Sequence, residues 1–194
     1  DENGEQSMDY SINFEVCSDV SGYLKHIKQL PSDINHSLLA VNSSCEEYST
    51  GGWDMKKCDY PVTKVMEPGD LLGIVGGTGA NQNSFDFGLM DQRIQNAFIR
   101  QNYYPENFYT MGCPYDYFEQ SIKSQYLAKI GYLFDGNLVF RENINLNGMP
   151  LCGSMMQDVA GSLKGNWINA TSGSIFNQED AHLALIHWNY DSAY

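Results

Sequence analysis

The sequence has 194 residues, a length typical of one domain with a substantial buried core, and we expect a single domain over residues 1–194. Hydrophobic residues make up 42% and charged residues 18%, which excludes a disordered chain. The formal net charge of −13 disfavours nucleic acid and anionic lipid as partners. No apolar run approaches the roughly 20 residues that a transmembrane helix requires, so no transmembrane segment is expected.

The first predicted elements are two strands. Apolar residues alternate with polar ones from Tyr10 to Val16, which is typical of a half-buried strand. A turn then leads to a second strand from Tyr23 to Leu30, which contains His26. Residues 32–61 are predicted to form a long connection, and residues 62–66 a further strand.

The stretch from Lys64 to Asp91 is predicted to lie at the centre of the fold. It contains two apolar runs, Leu71–Val75 and Phe85–Leu89, separated by an uncharged loop with glycines at 76, 77 and 79. Glycine permits positive φ, so the loop suits a tight reversal between two strands of a hairpin. No Lys-Ser or Lys-Thr follows the loop, which excludes a phosphate-binding P-loop.

The second half of the chain is predicted to contain one or two short helices and further strands. Residues 91–101 and 118–130 have apolar residues at helical spacing. Short strands are expected around residues 138–140, 162–168 and 182–188. Because strands outnumber helices and glycine turns separate them, we predict a mainly β, sandwich-like fold.

Five cysteines without a CxxC pair indicate an oxidising compartment. Cys45 and Cys58 bracket a turn-rich segment and are predicted to form a disulfide. Among Cys17, Cys113 and Cys152 one pair can form, and one thiol is left over. Five buried free thiols are the alternative. We therefore expect a secreted protein, and the start at Asp1 without an initiator Met or signal peptide indicates a processed or trimmed chain.

Three sequons are candidate glycosylation sites in a secreted protein. Their asparagines are Asn35, Asn42 and Asn169. Such triplets also occur by chance. Among the histidines, His26 lies inside an alternating strand, where a lone histidine is more often structural than a metal ligand.

Four motifs in order resemble a known family. They are Tyr23-Leu24-Lys25-His26, then Gly69-Asp70-Leu71-Leu72-Gly73, then Val75-Gly76-Gly77-Thr78-Gly79, and finally Ser84-Phe85-Asp86-Phe87-Gly88. Together residues 10–91 resemble the core of the lysostaphin-type zinc metallopeptidases (duplicated hybrid motif), which are bacterial cell-wall endopeptidases. The resemblance implies an antiparallel β-sandwich of that type, with additional strands and loops on the C-terminal side. The C-terminal region looks like that of uncharacterised secreted proteins that carry the same core.

The resemblance also implies that the catalytic site is incomplete. In the family, zinc is held by a His and an Asp of an early strand and by the second His of a His-x-His motif. The first His of that motif and the His after the Tyr assist the attacking water. Here His26 matches the latter, Ser84 stands at the first His, and Asp86 stands at the zinc-binding second His. The early His and Asp have no counterpart, so Asp86 is the one candidate metal ligand, and a catalytic zinc needs three.

The functional expectation is a secreted, non-catalytic binding or assembly protein that needs no cofactor. Its partners would be a cell-envelope glycan or peptide, or further copies in a surface structure or filament. Four aromatic residues could stack on sugars, pack against a neighbouring subunit or belong to the core: Trp53, Tyr103, Tyr104 and Tyr109. The alternative is a metal-dependent peptidase or hydrolase that uses His26 and Asp86, with zinc ligands supplied from upstream of Asp1.

Overall fold

The computed structural model of the chain describes residues 8–50, 53–78, 83–140, 152–168 and 182–189. Over these ranges the fold is mainly β. The strands are β1 (Tyr10–Cys17), β2 (Val20–Gln29), β3 (Ser44–Thr50), β4 (Trp53–Asp59), β5 (Ile74–Val75), β6 (Asp86–Asp91), β7 (Met111–Gly112), β8 (Gly131–Phe134), β9 (Asn137–Phe140), β10 (Gly165–Ile168) and β11 (His182–Leu185). The α-helices are α1 (Ser32–Leu39) and α2 (Gln120–Leu127), and short 3-10 helices cover Gln101–Tyr103, Glu106–Tyr109 and Pro114–Tyr117. None of these helices is both long and apolar enough to cross a membrane.

One sheet contains five strands. Its order is β1-β2-β6-β7, and β5 pairs with β2. In β1 the alternating residues Tyr10, Ile12 and Phe14 are half-buried and their neighbours are exposed, which confirms the strand predicted from alternation. The predicted strand from Tyr23 to Leu30 is likewise confirmed by β2.

The chain forms two compact units. The first comprises Asp1–Ile12 and Leu24–Asp86, and the second comprises Asn13–Tyr23 and Phe87–Tyr194. In the first unit, Ile27 and Leu30 are buried at the end of β2. In the second unit, the buried apolar side chains of the described residues are Val20, Leu89 and Phe98. The expectation of a single domain stays a prediction.

The remaining strands form three separate two-stranded antiparallel pairs: β3 with β4, β8 with β9, and β10 with β11. The mainly β class with two short helices is therefore confirmed. The finer assignments, a β-sandwich and the lysostaphin type, stay predictions.

The predicted central hairpin differs from the observed pairing. β5 pairs with β2, and β6 also follows β2 in the sheet order, so the described parts of the two apolar runs do not form a ladder with each other. The chain does reverse between them, because the backbone N–H of Asn83 donates to the carbonyl of Gly76 at 2.7 Å. Strand β2 is thus the common neighbour of both runs in the sheet.

Two other predictions about local structure were wrong. The connection over residues 32–61 contains helix α1 and the β3–β4 hairpin, and residues 62–66 form no strand. The helix predicted for residues 91–101 is absent, because Asn96 donates its side-chain N–H groups to the carbonyls of Phe108 and Met111, at 2.9 and 2.8 Å. These bonds tie Asn96 to the backbone of residues 108–111, and this long-range contact outweighs the weak helical propensity of the segment.

The helix and strand predictions beyond residue 117 agree with the structure. The helix predicted for residues 118–130 is confirmed by α2, and the short late strands are confirmed by β9, β10 and β11.

Two disulfides are present. Cys45 and Cys58 face each other across β3 and β4, which confirms the predicted bond. Cys113 pairs with Cys152, and Cys17 is an exposed free thiol at the end of β1. The alternative of five buried free thiols is therefore wrong. Two disulfides are compatible with an oxidising, extracellular compartment.

Candidate functional site

The backbone at His26 is unusual for a strand. Its φ is +61°, in the left-handed region that non-glycine residues rarely adopt, and the β2–β5 register shifts between Ile27 and Gln29. The carbonyl of His26 accepts hydrogen bonds from the N–H groups of Gly76 and Gly77, at 3.2 and 2.9 Å. Residues held in such conformations are often found at functional sites and switch regions. His26 therefore anchors the start of the glycine loop at a cost in backbone strain.

The side chain of His26 lies between two carboxylates. Nδ1 is 2.8 Å from Oδ2 of Asp9, and Nε2 is 3.5 Å from Oδ2 of Asp86. The His26 and Asp9 side chains are about one-fifth exposed, whereas that of Asp86 is 53% exposed. The structure thus brings together His26 and Asp86, two of the residues singled out from the sequence, and adds a third.

Asp9 was missed in the sequence, yet a signal for it exists. If Cys17 and Val20 pair across the two-residue turn between β1 and β2, position 11 lies opposite position 26. Position 9 is then a diagonal neighbour on the same face of the sheet, within reach of a long or polar side chain. The carbonyl of Met8 also accepts a hydrogen bond from Oγ1 of Thr78 at 2.9 Å. The first contact ties the chain before β1 to β2, and the second ties it to the first unit's glycine loop.

This cluster is not a three-ligand metal site. Asp9 and Asp86 lie at opposite nitrogens of one imidazole ring, so a single ion cannot contact all three side chains. An ion between Nε2 of His26 and Asp86 would have two protein ligands, and a catalytic zinc has three. In the part of the chain that the structure describes, no group of three or more His, Cys, Asp or Glu residues is placed to hold a metal ion.

Ser84 is half-buried just before β6. No hydrogen bond among the described residues joins it to His26, so the geometry gives no serine nucleophile activated by this histidine. Asn83, next to it, also has a positive φ of 63°. The end of the glycine loop is therefore as constrained as its start.

Large apolar side chains on both sides of the glycine loop are exposed. They form what we call the glycine-loop surface, consisting of Leu71, Ile74, Val75 and Phe85, with exposed fractions of 62, 49, 49 and 44%. Because Ile74 and Val75 are consecutive residues of β5, their side chains point to opposite faces of that strand, so apolar side chains are exposed on both sides of the loop. All four belong to the first unit, as does the His26 cluster.

The aromatic residues proposed from the sequence as stacking groups are engaged within the chain. Tyr104 stacks on Phe98 with ring centroids 4.0 Å apart, and the hydroxyl of Tyr109 donates to the carbonyl of Tyr104 at 3.1 Å. The guanidinium of Arg100 lies 5.7 Å from the ring centre of Tyr103. Three of the four are thus packing residues, and the side chain of Trp53 lies outside the described residues.

A second charged cluster lies in the second unit and is saturated. The carboxylate of Asp91, which is buried, accepts two bonds from the guanidinium of Arg93, at 2.8 and 2.7 Å, and a further bond from the hydroxyl of Tyr117. The Arg93 guanidinium beside it holds the pKa of Asp91 well below its usual range. Burial, with the neighbouring carboxylate, raises the pKa of Tyr117. With every strong acceptor site occupied, the cluster fixes the chain after β6 rather than offering a reactive group.

Two of the three candidate glycosylation sites lie in the described chain. Asn35 is exposed on α1, and Asn42 is exposed in the bend before β3. Asn169 lies outside the described residues. Glycosylation of all three stays a prediction.

Comparison with known proteins gives no matching family model, no similar curated protein and no solved structure that matches the fold.

Proposed function

We propose that this chain is an extracellular binding protein built on a degenerate lysostaphin-type core, without hydrolytic activity. The observation that carries the proposal is the His26 imidazole, which has a carboxylate at each ring nitrogen. In this arrangement the ring is held between two carboxylates, and the backbone carbonyl of His26 holds the glycine loop. The strain at this position then serves to present a loop rather than to activate water.

The negative charge at Asp86 supports the same proposal. In the resembled family a neutral histidine at this position binds zinc, and here a carboxylate faces Nε2 of His26 instead. That contact occupies the ring nitrogen that would otherwise face an attacking water, and Asp9 occupies the other nitrogen.

The partner would contact the glycine-loop surface. Its exposed side chains flank a loop that is fixed at its base by the Asn83–Gly76 bond and at its start by His26. A loop whose described ends are fixed, here at residues 76–77 and 83, loses less conformational entropy on binding than a loop with free ends. Two partners fit: an envelope peptide or glycan, or a second copy of the chain.

The experiment is co-sedimentation with insoluble bacterial cell-wall sacculi, with release of soluble fragments measured in the same tubes. We expect binding without release, and weaker binding for Leu71→Ser and Phe85→Ser. Leu39→Ser is the matched control, because Leu39 is 85% exposed on α1 and lies outside the glycine-loop surface. Sedimentation velocity distinguishes the second copy as partner, since a concentration-dependent dimer would then be lost in the same two variants. If the wild type neither binds sacculi nor self-associates, the proposal is overturned.

A metal-dependent hydrolase is the second candidate. It is favoured by the 3.5 Å distance between Nε2 of His26 and Oδ2 of Asp86, because these two atoms could contact one ion. Asp9 would then orient the imidazole from Nδ1, as carboxylates that hydrogen-bond to metal-bound histidines do. Elemental analysis of protein purified without chelators tests it. Stoichiometric zinc together with fragment release from sacculi would replace the binding proposal with this one.

A further inference from the structure

A cavity of about 200 Å³ lies in the second unit, between the segment that follows Cys152 and the β10–β11 region. Its polar lining consists of uncharged side chains, those of Ser154, Gln157, Asn166 and Asn189. Met155 and Ile186 supply an apolar part of the wall. No ionisable side chain lines the cavity among the described residues, because Cys152 is bonded to Cys113. The volume corresponds to about seven water molecules, the space of one small sugar ring or a dipeptide.

Two of the amides are fixed before any ligand arrives. Gln157, which is buried, accepts the N–H of His187 at 3.1 Å and donates to its carbonyl at 3.0 Å. Asn189 makes the same pair of bonds with the backbone of Ser154, at 3.0 and 3.3 Å, and accepts a bond from Gln157 at 3.0 Å. The two side-chain amides thus bond to backbone N–H and C=O groups as a neighbouring strand would, and they hold both walls of the cavity in place.

Gly153 is the residue that permits this arrangement. Its φ is +83°, and a Cβ there would lie 2.9 Å from Cγ of Asn189. A side chain at this position would displace the asparagine from Ser154. The wall is therefore built around a close approach that glycine alone allows.

Hydrogen-bonding capacity remains on two lining amides. Nδ2 of Asn166 donates to the hydroxyl of Tyr104 at 2.9 Å, while Oδ1 of Asn166 accepts no bond from the described residues. Within the described residues, Asn189 donates one of its two amide N–H groups, to the carbonyl of Ser154. The two lining residues thus retain an acceptor and a donor, both neutral, and apolar side chains line the cavity with them.

We propose that this cavity binds a neutral acetamido group, held by Asn166 and Asn189, with its methyl group against Met155 and Ile186. An acetamido N–H and C=O match the free acceptor and donor, and a neutral group loses less solvation in an uncharged cavity than an ion does. The source is an N-acetylated sugar or an N-acetylated peptide. This inference rests on the proposed binding function and adds a ligand class and a place for it.

The test is a titration of the ¹⁵N-labelled chain with N-acetylglucosamine, with glucose and with N-acetylalanine methylamide, followed by NMR. We expect saturable shifts of the side-chain amides of Asn166 and Asn189 with at least one acetamido probe and none with glucose. Saturation by the sugar alone identifies a glycan source, and saturation by the diamide alone identifies a peptide source. Equal saturation by glucose, or no saturation by any probe, overturns the proposal.

Two variants localise the site. Asn166→Ala removes the free acceptor and should weaken acetamido binding about fivefold to tenfold, the effect of one neutral hydrogen bond. Asn137→Ala, at the exposed first residue of β9, is the matched control and should bind as the wild type does. Ile186→Trp should block the cavity without removing a hydrogen bond. Unchanged affinity in both Asn166→Ala and Ile186→Trp would overturn the assignment, whereas sacculus binding through the glycine-loop surface would survive them.

Discussion

Asp9 and His26 lie 17 residues apart in the sequence, and their side chains meet at 2.8 Å between Oδ2 and Nδ1. The contact joins the residue just before β1 to a residue of β2 whose backbone has a positive φ of 61°. Because the carbonyl of the same histidine accepts two N–H groups of the glycine loop, one residue holds three segments of the first unit.

The first prediction separates the roles of the His26 backbone and ring. His26→Ala should lower the free energy of unfolding by about 1–3 kcal/mol, because it loses the ring contacts and keeps an L-residue at positive φ. His26→Asn should cost less, since asparagine tolerates the left-handed region. Urea unfolding followed by circular dichroism measures both. The control is His36→Asn on the exposed face of α1, and equal stability of the His26 and His36 variants would contradict the role given to His26.

The second prediction concerns the pH dependence of stability through Asp91. The folded-state pKa of this carboxyl is far below its ordinary value, because Arg93 and Tyr117 bond the ionised form. The stabilisation is therefore fully present above about pH 4, the range of an unfolded aspartate, and is lost as the pH falls below it.

Asp91→Asn should accordingly lower the urea midpoint at pH 7 and flatten its decline between about pH 4 and pH 2. Asp116→Asn serves as the control, because Asp116 forms an exposed pair with Lys123. If the urea midpoint of Asp91→Asn declines in acid as steeply as that of the wild type, carboxylates other than Asp91 cause the decline.

The confirmed features are those that a pattern within a short stretch of sequence predicts. Alternation located β1, helical spacing located α2, and two cysteines that bracket a turn gave the first disulfide. Motif order singled out His26 and Asp86, whose contact at 3.5 Å follows from neighbouring strands.

The remaining features depend on contacts between distant residues, which periodicity does not encode. The helical pattern after Asp91 yields to the side-chain bonds of Asn96, and Tyr117 reaches Asp91 from 26 residues away. Asp9 was not singled out, because its contact with His26 spans 17 residues and depends on the pairing of β1 with β2.

The third prediction compares the two disulfides. The bonds span 13 residues for Cys45–Cys58 and 39 for Cys113–Cys152. Loop-closure entropy gives roughly 3 kcal/mol for the shorter loop and roughly 4 kcal/mol for the longer one. Removing the second bond with a pair of serines should therefore lower Tm more than removing the first.

Differential scanning calorimetry of the two double variants measures the difference, with Cys17→Ser as the control because its thiol is free and exposed. The Cys113–Cys152 variant should also lose acetamido binding in part, since Cys152 borders the cavity. A larger loss of Tm for the Cys45–Cys58 variant would mean that the β3–β4 hairpin matters more than chain entropy.

The last prediction concerns the close packing of β2 against β6 at Gly22 in the second unit. A Cβ at this position would lie 2.5 Å from Cζ of Phe14 and 2.8 Å from the carbonyl oxygen of Gly88. The ring can rotate away, but the carbonyl belongs to the backbone of β6 and can move only with the strand. Gly22→Ala should therefore destabilise the fold by about 1–3 kcal/mol, as overpacking does, although alanine is ordinarily the better strand residue. Ser21→Ala, one position earlier in β2, should change stability by less than about 0.5 kcal/mol in the same urea titration. If Gly22→Ala is as stable as Ser21→Ala, the two strands do not approach as closely as these distances require.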